Sequence, residues 1–157
     1  EYYRALSDDH EQVELLYRSE LNDNTLEELL LASRERDRVM GYTNCGVQRD
    51  DLRFSIGGYP LRKYGSQGQQ KSFLIALKLA QYRMLAEHCH ERPILLLDDL
   101  FDKLDIGRVE RLLSLVSAEE FGQIFITDCN KIRLEDTLQR ADVGYKLFTV
   151  EQGEVML

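Results

Sequence analysis

Ile94-Leu95-Leu96-Leu97-Asp98-Asp99 puts four apolar residues directly before two acids. A short apolar run of this length reads as a strand covered on both faces, the kind found in parallel sheets with flanking helices. Acids at its carboxyl end stand at the sheet rim, where α/β domains hold their ligands. A carboxylate at Asp98 suits Mg²⁺, a hard cation that takes oxygen ligands and keeps several waters. The next acid, Asp99, suits the orientation or deprotonation of an attacking water. The plainer reading is a buried strand meeting a polar loop.

Upstream, Gly65-Ser66-Gln67-Gly68-Gln69-Gln70 opens a helix expected from Gln67 to about His88. Ser66 is a helix N-cap, and Gln69 three residues on completes a capping box. A helix start also offers unpaired N–H groups and the positive end of the helix dipole to a phosphate, and Gly68 allows close backbone approach. Phe73, Leu77, Ala80 and Met84, with Leu74 and Leu85, form the apolar stripe expected to face the core. Downstream come a helix near Ile106 to Val116 and a second buried strand over Gln123 to Thr127. Tyr145 to Val150 and Glu154 to Leu157, joined at Gln152-Gly153, read as a terminal hairpin.

On the N-terminal side, Val13, Leu15 and Tyr17 alternate with polar residues in a strand expected over Gln12 to Ser19. A helix over Thr25 to about Met40 follows, with Leu26, Leu29, Leu30 and Val39 inward and Gly41 at its end. From Asp51 to Leu61, Leu52, Phe54 and Ile56 alternate up to a Gly57-Gly58 hairpin turn. The whole is an α/β chain, with residues 1–41 expected to be the remnant of a helical accessory lobe and 42–157 a sheet domain.

The 157 residues carry a net charge of −8, 43% apolar and 31% charged side chains. That balance argues against a nucleic-acid binder that is basic over its whole surface. Between Arg49 and Lys71, however, Arg49, Arg53, Arg62, Lys63 and Lys71 outnumber Asp50 and Asp51. The strip fits either phosphate contact or a solvated face. No apolar run approaches the roughly 20 residues of a membrane helix, so no membrane partner is expected. Cys45, Cys89 and Cys129 stand far apart, as free thiols of a reducing cytoplasm do. His88-Cys89-His90 is no metal set, because neighbouring helical residues point apart. An opening at Glu1 reads as part of a longer chain.

The order of these pieces carries more than any one of them. A serine-glycine helix start, an apolar strand ending in Asp98-Asp99, then Phe101-Asp102-Lys103-Leu104-Asp105, then a strand ending at Thr127 and Asp128, resembles the second half of an ABC-type ATPase head. Signature motif, Walker B, D-loop and switch strand come in that sequence. Within that superfamily the chain resembles the RecF family, through Arg49-Asp50-Asp51-Leu52, Gly65 to Ser72, Ala76-Leu77-Lys78-Leu79-Ala80 and Leu95 to Asp105. Three positions depart from the family pattern. Gln48 stands for a His, Phe101-Asp102-Lys103 varies the D-loop, and Asp128 stands where transporter ATPases carry a switch His.

The resemblance implies the C-terminal portion of a P-loop ABC-type ATPase head with flanking helices. In the complete protein it implies ATP hydrolysis with Mg²⁺ on Asp98 and Asp99 positioning water. Ser66, Gln67, Gly68 and Gln69 would reach the γ-phosphate held by a second copy of the protein, and Asp105 would lie at the dimer seam. ATP-driven dimerisation would control binding to double-stranded or gapped DNA and help recombination mediators load a recombinase, within DNA replication, recombination, repair and the SOS response. The chain has no G-x-x-x-x-G-K-[ST] loop, so alone it is expected to bind no ATP and to be inert. The resemblance places the P-loop strand between the switch strand and the strand after it, Gln123–Thr127 and Tyr145–Val150, so Gln123–Thr127 is expected to pair with Ile94–Asp98 on one side only, its other edge open or filled by a second copy of the chain. Two alternatives remain at this point. One is the ATPase subunit of a transporter; the other is a non-catalytic partner-binding domain.

Overall fold

The computed structural model describes residues 1–7, 11–117, 121–142 and 144–156. They form two compact units, one of Glu11–Gly65 and one of Glu1–His10 with Ser66–Leu157.

In the unit Glu11–Gly65, β1 (Val13–Arg18) pairs antiparallel with β2 (Asp51–Ile56), which turns into β3 (Tyr59–Pro60). The register sets Val13, Leu15 and Tyr17 opposite Ile56, Phe54 and Leu52, so the alternating apolar residues of both strands share one face. The turn works because Gly57 and Gly58 both take positive φ, 55° and 80°, as a two-residue turn matching the strand twist requires. α2 (Leu26–Met40) starts at a complete capping box between Thr25 and Glu28 and stops at Gly41 with φ 76°. β1–β2 pairing ties residues on both sides of the boundary expected at Gly41, and the compact units divide instead near 10 and 65. None of the residues of α2 is buried, and Val39 is 87% exposed. Leu26, Leu29, Leu30 and Val39 therefore do not face a core, contrary to the periodicity. Helical spacing shows that a face is apolar; it does not supply something to cover it. The helix leans instead on its caps and on Asp37, whose carboxylate accepts from the Asn44 backbone and side-chain N–H groups (both 2.9 Å) and from the Ser33 hydroxyl (2.8 Å). These bonds, the Asn44 side chain foremost, hold Asp37 below its ordinary carboxylate pKa.

In the other unit, α4 (Gln67–Cys89) is the central helix, numbered after the single turn α3 (Leu61–Tyr64) of the first unit. It buries Ser72, Phe73, Ala76, Leu79 and Tyr82. The expected stripe was rotated from this face: Phe73 is buried, but Leu74, Met84 and Leu85 are 55%, 70% and 45% exposed. Apolar residues surround this helix, so spacing alone could not choose which side meets the core. α1 (Tyr2–Ser7) packs beside it, with the Tyr3 and Phe73 rings 5.9 Å apart. β4 (Leu95–Leu97) runs parallel to β5 (Ile124–Ile126), linked through α5 (Ile106–Val116). That helix buries Val109, Leu112, Leu113 and Val116, an i, i+3, i+4, i+7 face.

β5 pairs with β4 and with no other described strand, so Gln123–Thr127 does not pair with Tyr145–Val150 among the described residues. The two strands are not covered on both faces as expected. Leu95 is buried, whereas the facing pair Leu96 and Phe125 are 71% and 46% exposed. α6 (Lys131–Arg140), which no expected element covers, follows β5, capped by Asn130 and burying Leu134, Thr137 and Leu138. The terminal hairpin is β6 (Thr149–Glu151) with β7 (Glu154–Met156), turning at Gln152 and Gly153; Leu157, its expected last residue, lies outside the described residues.

Candidate active site

All seven residues singled out in the sequence as nucleotide-facing lie in the unit built on α4, β4 and β5. Ser66 caps α4: its Oγ accepts from the Gln69 N–H (3.2 Å), and its own N–H donates to Gln69 Oε1 (2.7 Å). Gln69 is thereby turned back onto the cap, while Gln67 stands exposed at the first helical position. Gly68 sits against the loop after β4, where a Cβ would come within 3.1 Å of the Lys103 carbonyl oxygen. That close approach is a packing reason for glycine at this position.

Asp98 and Asp99 follow β4, and the parallel neighbour holds them. The Thr127 hydroxyl donates to Asp98 Oδ1 and accepts from the Asp99 N–H (3.2 Å). The Leu100 N–H donates to the Thr127 carbonyl (3.2 Å) and the Thr127 N–H to that of Leu97 (2.9 Å). Asp99 takes a left-handed φ of 51°, uncommon for a residue with a side chain, and its carbonyl accepts from Lys71 Nζ at 2.7 Å. The acids thus sit between the strand end of β5 and the first turns of α4.

Asp105 caps α5, its Oδ1 accepting from the Arg108 N–H (2.9 Å). Arg108 turns back across the loop. Its Nε lies 3.3 Å from Asp105 Oδ2, and its Nη1 donates to Ser72 Oγ (2.8 Å) and to the Gly68 carbonyl (3.4 Å). One guanidinium therefore joins the start of α4 to the loop that ends at Asp105. Asp128 accepts from the Phe101 N–H (2.9 Å) with one oxygen and from the Asn130 N–H (2.8 Å) with the other, bridging the loops after β4 and β5.

Lys71, Arg108 and Thr127 escaped the sequence reading as site residues. Lys71 was visible only as one charge of a basic strip, whose other members belong to the unit Glu11–Gly65. Arg108 stands three residues after a capping Asp, a legible local pair; its bond to Ser72, 36 residues away, is not.

Asp98 Oδ1 and the Thr127 hydroxyl bonded to it are oxygen donors, the ligand type that Mg²⁺ takes. Among the described residues no three acidic, His or Cys side chains converge.

No family model matches the chain, while curated proteins and solved structures that are similar to it carry one family name. A protein of Parabacteroides distasonis called DNA replication and repair protein RecF is 51% identical over 155 residues, 99% of this chain and 42% of its own length. The chain belongs to the RecF family. RecF proteins so named from Bacteroides thetaiotaomicron and Porphyromonas gingivalis are 48% and 49% identical, each over 98% of the chain and 42% of the relative. The chain thus spans less than half the length of the RecF relatives it matches, and corresponds to their C-terminal part. Two solved structures share the fold. One, described as the recombination mediator protein RecF-ATPrS in the RecFOR pathway, gives a TM-score of 0.66 at 27% identity, over 98% of this chain and 41% of that one. The other, described as RecF-ATP in that pathway, gives 0.63 at 30% identity, over 83% and 36%. The fold is accordingly the C-terminal portion of an ABC-type ATPase head as RecF builds it. Among the described residues no helix is long and apolar enough to cross a membrane.

Proposed function

We propose that this chain supplies the signature helix, acid pair and D-loop of an ATP-hydrolysing RecF protein that acts in DNA replication and repair. The observation that carries the proposal is the Asp98–Asp99 pair at the end of β4, gripped by Thr127 of β5 and tied by Lys71 to the capped start of α4. In this reading Ser66–Leu157 with Glu1–His10 is the half-head, and Glu11–Gly65 the accessory lobe. The names of the relatives favour this over a transporter ATPase.

In the complete protein Asp98 would hold Mg²⁺, which neutralises charge on the transferring phosphate. Asp99 would orient the attacking water. Ser66 and the N–H groups of the first turn of α4 would face the γ-phosphate bound by a second copy, with Gly68 leaving room for the approach. Asp105 would lie at the seam between copies. Closure of the dimer would govern binding to duplex or gapped DNA and cooperation with recombination mediators in loading a recombinase.

The test is ATP hydrolysis by the complete protein with and without DNA. DNA-stimulated turnover, abolished in Asp98→Asn and slowed with ATP still bound in Asp99→Asn, is the expected result. Ser66→Arg should bind ATP as a monomer yet form no ATP-dependent dimer in ultracentrifugation. Unimpaired hydrolysis in both Asp variants would overturn the acid-pair assignment, and normal dimers of the Ser66 variant would reduce that residue to a helix cap.

A further inference from the structure

We infer that Lys71 is a positioning residue for Asp99, a link through which the start of α4 sets the direction of the acid pair. The inference rests on the reading of Asp99 as the group that orients water.

Asp99 has a left-handed φ of 51°, a region that Asp enters more readily than most residues with a side chain. Both ends of the residue are fixed. Its N–H donates to Thr127 Oγ1 at 3.2 Å, and its carbonyl accepts the Lys71 ammonium at 2.7 Å. The first bond belongs to the sheet; the second reaches it from α4. These two bonds fix the peptide groups on either side of the Asp99 Cα, and with them the Cα–Cβ direction from which its carboxylate departs. Lys71 lies five residues after Ser66, on the second turn of the helix whose first turn is the proposed γ-phosphate contact. A displacement of that helix start is therefore carried to the Asp99 peptide by one charge-assisted bond. Lys71 is also only partly buried, and its partner is a peptide oxygen rather than a core group. Its replacement changes the direction of Asp99 more than the packing of the domain.

The experiment uses the complete protein. Lys71→Met and Lys71→Arg are compared with the parent and with Asp99→Asn for kcat, KM, ATP affinity and ATP-dependent dimerisation. Lys71→Met should lower kcat about ten- to a hundredfold, the scale set by a misplacement on the order of 1 Å, with KM, ATP affinity and dimerisation within about twofold of the parent. A loss confined to kcat is the signature of an interaction needed in the reacting state. Lys71→Arg keeps a cationic donor and should recover most of the rate. Parent-like kcat in Lys71→Met beside a slow Asp99→Asn would overturn the inference and leave the acid-pair reading intact. A parent-like Asp99→Asn would overturn the reading beneath it. Loss of ATP binding or of dimerisation in Lys71→Met, or failure of the Arg variant to recover turnover, would make Lys71 a structural residue of α4 and also overturn the inference.

Discussion

Replacing Arg108 with alanine tests whether the start of α4 and the loop ending at Asp105 are joined as the geometry indicates. The Arg108 side chain is 14% exposed and bonds to the Ser72 hydroxyl, itself in a residue 1% exposed, and to the Gly68 carbonyl. A bond from a charged donor contributes about 1.5–3 kcal/mol net, and a buried hydroxyl left without a partner costs about 1–3 kcal/mol. These two figures describe overlapping losses. Ser72 also has a partial remedy, since its hydroxyl can turn to the Gly68 carbonyl four residues back. The ion pair with Asp105 adds little, because Asp105 is 65% exposed and its capping bond comes from the Arg108 backbone, which the substitution keeps. The expected loss is about 2–3 kcal/mol, or roughly 4–12 °C in Tm for a chain of this size. Thermal and urea unfolding of this chain, followed by circular dichroism, would measure it. Ser72→Ala in the Arg108→Ala background should cost less than in the parent by about 1 kcal/mol, the coupling expected of bonded neighbours. An Arg108→Ala variant within about 0.5 kcal/mol of the parent, a change ordinary for unlinked surface positions, or strictly additive losses, would refute the link.

Three other outcomes follow from local geometry. Gly68→Ala should lower Tm by about 2–4 °C, corresponding to about 1 kcal/mol: its Cβ meets the Lys103 carbonyl at 3.1 Å, and Lys103 itself sits at φ 62°, so the loop has little room to yield. A higher Tm would mean that helix propensity wins and the approach is not tight. Thr25→Ala removes the cap of α2 and should cost about 1 kcal/mol, read as lost stability in urea; an unchanged midpoint would show that the cap on this exposed helix contributes nothing. Asp37 has a folded pKa below its ordinary value, so the unfolded chain binds the proton more readily and stability rises with pH across that range. Its contribution should be complete above the ordinary carboxylate range and disappear as pH falls through the lowered folded value. Urea midpoints between about pH 3 and 6 should show this slope. Asp37→Asn should flatten it, and an equally steep slope in that variant would assign the effect to other carboxylates.

Much of this protein was determined locally and could be read from order and spacing. Ser66 and Gln69 form the capping box their spacing predicts, Gly57-Gly58 makes the turn, and β4 and β5 pair in parallel through α5. Each depends on residues a few positions apart, or on an apolar run whose length suits only a strand. That β5 pairs with β4 alone among the described strands was likewise foreseeable, though from family resemblance rather than from physics. What the chain folds against was not legible. Apolar residues surround α4, and its inner face is chosen by what meets it: Tyr3 of α1 against Phe73, Arg108 of α5 on Ser72, and the Phe121 ring 4.9 Å from that of Tyr82. α2 has the spacing of a core helix and buries nothing. The same holds at the candidate site. Asp98 and Asp99 announce themselves as adjacent acids after a strand, but their grip comes from Thr127 and Lys71, each 28 residues from Asp99. Asp128 and Arg108 become bridges only when their loops meet. A side chain's type sets which bonds it can make, and that much is written locally. Which partner it finds depends on chain segments brought together by burial, and no local pattern encodes that.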